Sequence, residues 1–151
     1  MTRRTNEQLL QRLVHEREIL RTLYAYAHAL DYGIEVEFSD CWLDDACLYW
    51  PRHEPYRGHD AIVDVFRRHT HAPEAVHKHL VMQPQIQIDG AVSVVESYYM
   101  RLDWRPEGPI VRSFGRYRDI LELCPDSRWR FRERRAENEA SVPGLPTSVA
   151  R

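Results

Sequence analysis

Two residues far apart in the chain are the ones best able to move a proton. Asp31 closes the run LRTLYAYAHALD, from Leu20 to Asp31. At about 100° per residue, Leu20, Leu23, Tyr24 and Ala27 share one helical face, and Asp31 falls on it. An ionised carboxylate on an apolar stripe is costly unless it is paired or hydrogen-bonded. Asp31 therefore either opens the loop at a helix end or sits in a pocket for a reason. Tyr26 lies off to the side of the stripe, within reach of a cavity edge. His79 stands near the start of a strand-like segment from which it could point back at this helix. Histidine is the usual proton carrier near neutral pH, and a neighbouring carboxylate would fix its tautomer and favour the imidazolium. Strict alternation, however, sets His79 on the face opposite Leu80, Met82, Ile86 and Ile88. A bulge at Pro84 would change the facing between the two halves of the strand.

Other polar groups point to plainer roles. The stretch from His69 to His79 holds His69, His71, His77 and His79, and imidazoles at i and i+2 on a strand can share a metal. No carboxylate stands at a metal-motif spacing and Pro73 interrupts the segment, so a solvated histidine-rich loop is the expectation, with no metal. Arg128, Arg130, Arg132 and Arg134 alternate with Trp129, Phe131 and Glu133, the pattern of a half-buried strand with its arginines outward. No phosphate-cradling glycine loop and no GxSxG elbow occurs.

These groups need a scaffold. Thr5 to Gln8 has capping-box spacing, so a helix begins near Asn6, and Gly33 is its natural stop. Leu9 and Leu13 extend its inward stripe. A second helix is expected over residues 36–43 with Phe38 and Trp42 inward, a strand over 46–50, a loop over 52–58 and a third helix over 60–69. From His77 the texture has period two, and Asp89-Gly90 marks a tight hairpin. Val92, Val94, Tyr98, Met100 and Leu102 form the returning strand; strands over 111–123 and 129–135 follow. Helices first and hairpins after give an α+β layout: long N-terminal helices on a strongly curved, mostly antiparallel sheet, a cone-like α+β barrel. One domain over residues 1–137 and a loosely ordered tail over 138–151 are expected.

Bulk properties narrow the functions. At 151 residues the chain can bury a core as one domain. A net charge of −2 gives no general attraction to nucleic acid or an anionic membrane. Three cysteines without paired spacing argue against a disulfide framework, and with no apolar run of membrane-spanning length or signal peptide the expected compartment is cytoplasmic. Eight tyrosines and four tryptophans suit an apolar pocket.

Taken in order, Tyr26-Ala-His-Ala-Leu-Asp31, Trp42-Leu-Asp-Asp-Ala46, the Gly58 loop, His79, Gln83, Ile86-Gln-Ile-Asp-Gly90, Gly115-Arg-Tyr117-Arg-Asp119 and Trp129-x-Phe131 resemble SnoaL-like proteins. These belong to the superfamily of nuclear transport factor two, scytalone dehydratase and ketosteroid isomerase. The resemblance covers roughly residues 8–137. It implies a lyase or isomerase, dehydratase-like, that needs no cofactor and acts on a small cyclic apolar substrate. His79 would be the base, Asp31 its partner, and Tyr26 and Tyr49 hydrogen-bond donors, though Trp50 could take the slot of Tyr49. Pocket walls would come from Tyr24, Trp42, Trp50, Phe66, Met82, Tyr98, Met100 and Phe114. A homo-oligomer, trimer or dimer, is implied. The chain departs from scytalone dehydratase in having no second histidine between Val94 and Leu102, and Gln83 stands where an Asn is commoner. Two other readings share the fold: the structural small β subunit of aromatic-ring-hydroxylating dioxygenases, and a non-catalytic binder of small ligands.

Overall fold

The computed structural model describes residues 5–143. Its elements are α1 (Asn6–Tyr32), α2 (Glu35–Asp40), β1 (Trp42–Tyr49), β2 (Tyr56–Arg57), α3 (His59–Arg68), β3 (His77–Asp89), β4 (Val92–Asp103), β5 (Ile110–Leu123) and β6 (Trp129–Ser141). They form one six-stranded sheet in the order β2-β1-β6-β5-β4-β3. All neighbouring pairs are antiparallel except β1 with β6. This is the expected α+β layout, with an open sheet edged by β2 and β3 in place of a closed barrel.

Local chemistry sets the ends of α1. Thr5 and Gln8 form both halves of a capping box, and Gly33 ends the helix in the left-handed conformation at φ 70°. The buried face differs from the expected stripe. It runs through Ile19, Thr22, Leu23, Tyr26, Ala27, Leu30 and Asp31. Leu9, Leu13 and Tyr24 are exposed, because the first turns of α1 extend past the sheet and the face that meets it is centred on Tyr26. Helix α2 is shorter than expected and Trp42 already belongs to β1. The short strand β2 lies within the expected loop.

Strand parity is reset by bulges. In β3, Met82 pairs with Tyr98 and Gln85 with Glu96, so two residues of β3 face one of β4. Gln83 carries the strain of that bulge at φ 51°. His77, His79 and Val81 before it, and Ile86 and Ile88 after it, consequently share the inner face, whereas Leu80 and Met82 lie on the outer one. In β4 the inner face is Ser93, Val95, Ser97, Tyr99, Arg101 and Asp103. The expected inward set of Val92, Val94, Tyr98, Met100 and Leu102 is the outer face.

A bulge in β6 near Arg132 does the same for the arginine stripe. Arg128, Arg130 and Arg132 stay outside, in ion pairs with Asp40, Asp126, Asp45 and Glu122. Arg134, expected outside, turns into the core. It pairs bidentately with buried Asp119 at 2.9 and 2.8 Å and lies within 4.0–4.4 Å of the ring centres of Tyr117, Tyr26 and Phe131. Strand β6 runs on to Ser141, so residues 138–141, expected in the tail, belong to the sheet; residues 144–151 lie outside the described chain. Gly115 faces a further bulge of β6, where a Cβ would lie 1.9 Å from the Glu137 carbonyl oxygen, so only glycine fits.

Candidate active site

The dyad is formed by two element ends. Asp31 is in the last turn of α1 and His79 is the third residue of β3. Asp31 Oδ1 accepts a 2.6 Å hydrogen bond from His79 Nδ1. Both carboxylate oxygens also accept the backbone N–H of His79, at 3.2 and 3.0 Å. A carboxylate can only accept, so Nδ1 carries the proton and Nε2 keeps its lone pair. Burial pushes the His79 imidazole below its ordinary value, outweighing the opposing pull of Asp31. Asp31 pulls towards the imidazolium as expected, but burial outweighs it and holds His79 neutral.

The other histidines are not a solvated loop. His71 reaches the carbonyl oxygens of Leu30 at 2.6 Å and Phe66 at 2.9 Å, tying the loop after α3 to the end of α1. His69 and His77 are buried. Desolvation lowers His77 to about 4 and His69 to about 2, so both are neutral. His77 Nε2 lies 3.7 Å from Asp31 Oδ1, and neither of its ring nitrogens has a hydrogen-bond partner among the described residues. One ligand atom each from Asp31, His77 and His79 falls within 4.8 Å of the others. Two imidazoles and a carboxylate are a donor set that zinc or iron accepts. The 2.6 Å Asp31–His79 contact is itself hydrogen-bond geometry, and Arg101 faces His79 across the β3–β4 ladder.

A pocket of about 170 Å³ opens in front of the dyad. His79, Tyr26, Trp50, His69, Tyr99, Tyr117 and Arg101 are among its walls. Trp50 Nε1 donates to the Tyr26 hydroxyl at 3.1 Å. Burial raises Tyr26 to about 12, so it remains a protonated donor. Tyr99 donates to Asn138 Oδ1 at 3.0 Å and is likewise raised by burial to about 12.

Of the expected site residues, the structure gathers Asp31, His79, Tyr26 and Trp50 at this pocket; Asp31 stands behind His79 and not in the wall. Tyr49 is not there. Leu48 and Trp50 face in, so Tyr49 faces out and stacks under Arg135 at 3.6 Å. Trp42 and Phe66 are buried in the aromatic core around Phe38 and Tyr26. Tyr24 is exposed on α1. Met82, Tyr98, Met100 and Phe114 line a second groove, on the outer face of the sheet, because the β3 bulge and the parity of β4 turn them outward. His69, Tyr99, Arg101, Tyr117 and Asn138 were not expected in the wall. Tyr99 and Arg101 follow from the inward parity of β4, whereas His69 caps α3, Tyr117 lies on β5 and Asn138 on β6.

A model of the SnoaL-like domain matches residues 11–135. The chain belongs to the SnoaL-like domain family. Solved structures similar to this SnoaL-like chain include a protein of unknown function from Mycobacterium tuberculosis, 20% identical over 90% of this chain and 84% of that one, with a TM-score of 0.77. A protein provisionally named scytalone dehydratase from Novosphingobium aromaticivorans is 16% identical over 91% and 93%, with a TM-score of 0.74. ActVI-ORFA from Streptomyces coelicolor is 16% identical over 82% and 96%, with a TM-score of 0.72. At such identities the likeness is one of fold. No curated protein matches the sequence significantly. No helix among the described residues is long and apolar enough to cross a membrane.

Proposed function

We propose that this protein is a dehydratase-like lyase or isomerase that runs acid–base chemistry on a small cyclic substrate with its own side chains. The observation that carries this reading is the 2.6 Å hydrogen bond from His79 Nδ1 to Asp31, with the imidazole in the pocket wall. His79 Nε2 takes a proton from a carbon next to a carbonyl. The electron pair moves onto the carbonyl oxygen, giving an enolate. Asp31 holds the ring and balances the imidazolium that forms. The Tyr26 hydroxyl, polarised by the Trp50 N–H, donates a hydrogen bond to the oxygen where charge gathers. The enolate then either expels a β-hydroxyl as water, with the proton returned from His79, or is reprotonated elsewhere. Positioned proton transfer is worth about 10²–10⁴-fold. The reading of the fold as a structural dioxygenase subunit leaves this buried, oriented base without a task. A second copy of the chain is expected against the outer sheet face.

The test is proton exchange. Cyclic ketones and β-hydroxyketones incubated with the protein in D₂O should lose their α-proton signals in NMR spectra, and His79→Gln should stop the exchange. Exchange that persists at the wild-type rate in a folded His79→Gln protein would reject the assignment.

A further inference from the structure

Proton abstraction at carbon leaves charge on oxygen, so the pocket needs hydrogen-bond donors as well as a base. The arginines of the wall already have partners. Arg52 donates to Ser141 Oγ at 3.4 Å. Arg101 and Arg112, the latter an extra residue of β5 between the partners of Arg101 and Leu102, share Asp103. His69 is different. Its place at the end of α3 is fixed by its backbone N–H, which donates to the Val65 and Phe66 carbonyls at 3.1 Å. Its side chain makes no hydrogen bond among the described residues, whereas that of His71 ties two elements together.

The enclosure of that ring decides its tautomer. His69 is 6% exposed and burial holds it neutral, so one nitrogen carries a proton and the other a lone pair. Nδ1 is enclosed without a partner among the described residues; Nε2 is not enclosed, and the ring is part of the pocket wall. A buried N–H without an acceptor is rarer in folded proteins than a buried acceptor without a donor. The proton therefore sits on Nε2, towards the pocket. His79 has the opposite tautomer, with the proton on Nδ1 in its bond to Asp31 and the lone pair on Nε2. The two rings are neighbours, with centres 6.3 Å apart. Trp50 joins the set: its ring centre is 5.7 Å from that of His69, and its Nε1 donates to the Tyr26 hydroxyl at 3.1 Å.

We propose that His69 Nε2–H and the Tyr26 hydroxyl form a two-donor site for an enolate or phenolate oxygen beside His79. This rests on the reading of the same pocket as the active site and adds a second imidazole that touches the substrate there. A neutral imidazole suits the task. It donates a hydrogen bond to the developing charge and keeps its own proton, while the proton from carbon goes to His79. The carbonyl oxygen and the α-carbon of a ketone are two bonds apart, so donor and base must flank one another, as His69 and His79 do. The ligand class follows: cyclic ketones that enolise, and phenols, whose oxygen can accept two hydrogen bonds.

The experiment uses the full chain, labelled with ¹⁵N, and para-nitrophenolate as the probe. Long-range ¹H–¹⁵N NMR spectra of the free protein should show His69 as the Nε2–H tautomer and His79 as the Nδ1–H tautomer, with His69→Phe identifying the first set of signals. para-Nitrophenolate should shift the His69 Nε2 signal and bind at least about tenfold more weakly to His69→Phe. His69→Gln, which keeps an N–H, should retain part of the affinity. In α-proton exchange, His69→Phe should cost about 10²-fold with His79 in place. A His69 ring protonated on Nδ1 overturns the proposal without any variant, as does para-nitrophenolate that fails to bind the wild type or binds wild type and His69→Phe equally. Tautomer and binding are read without turnover. A protein with the phenolate site but no proton exchange keeps this inference and loses the acid–base reading; one that exchanges protons at the same rate with and without His69 does the reverse.

Discussion

Asp31 grips His79 twice, through the ring at Nδ1 and through the backbone N–H of the same residue. One side chain at the end of α1 thereby fixes both the start of β3 and the orientation of the imidazole on it. Removing the charge while keeping the shape should separate these duties. Asp31→Asn retains an acceptor for the backbone N–H but no longer stabilises an imidazolium. It should lower kcat about 10²–10⁴-fold and move KM little, with a circular dichroism spectrum like that of the wild type. A wild-type kcat in this variant would show that His79 works without it.

Burial makes the histidines a pH sensor of a definite sign. For His79 to act as base it must be neutral, and its folded value lies below the ordinary 6.5. The acid limb of kcat/KM should accordingly fall below pH 6.5, with no loss through neutrality.

The same burial affects stability through His77 and His69. Their folded values are depressed, so the unfolded chain binds the extra protons. Their contribution is full above pH 6.5 and is lost as pH falls from 6.5 towards about 4 for His77 and about 2 for His69. Each adds a slope of at most about 1.4 kcal/mol per pH unit within its window. Urea melts of the wild type and of His77→Gln between pH 4 and pH 7, a range set by the ~6.5 reference value, would measure it. A variant with an undiminished slope would rule His77 out.

Much of this was legible in the chain itself, and the rest was hidden for one physical reason. Capping residues act locally, so Thr5, Gln8 and Gly33 marked α1 correctly, and Asp89-Gly90 marked its hairpin. Which face a strand presents is not a local property. A single inserted residue reverses it, and the insertions at Gln83, Arg112 and near Arg132 leave little trace in composition. The bulge at Gln83 brings His79 inside, and the same displacement turns Met82 outward. The face of α1 shows the limit for helices. Leu9 and Leu13 follow the periodicity of an inward stripe, but the sheet does not extend beneath them. Ion pairing was equally invisible: nothing in the alternation of Arg128, Arg130 and Arg132 announces that Arg134 has Asp119 waiting in the core.

That buried pair offers a stability test. Arg134 and Asp119 are fully desolvated, and Arg134 forms the floor under Tyr26 and Tyr117. Breaking the pair by Asp119→Asn or Arg134→Met should cost about 3–5 kcal/mol, because one charge is left buried alone. The double variant should recover much of that loss, since it leaves no stranded charge. Chemical denaturation of all four proteins would provide the coupling energy; single and double losses that simply add would mean that the two groups do not stabilise each other.

The outer face of the sheet is where a second copy should dock. Tyr98 and Phe114 are 52% and 45% exposed there, and Met82 and Met100 share their groove. Large apolar side chains left exposed together commonly mark a contact. On the opposite side of the same strands, Ser97, Tyr99 and Arg101 face the pocket or the core, so charge placed on the outer side chains leaves the dyad untouched. Tyr98→Glu combined with Phe114→Glu should therefore shift the protein from an oligomer to a monomer in analytical ultracentrifugation while α-proton exchange continues. A wild-type protein that already sediments as a monomer at micromolar concentration would remove this expectation and leave the face to some other partner.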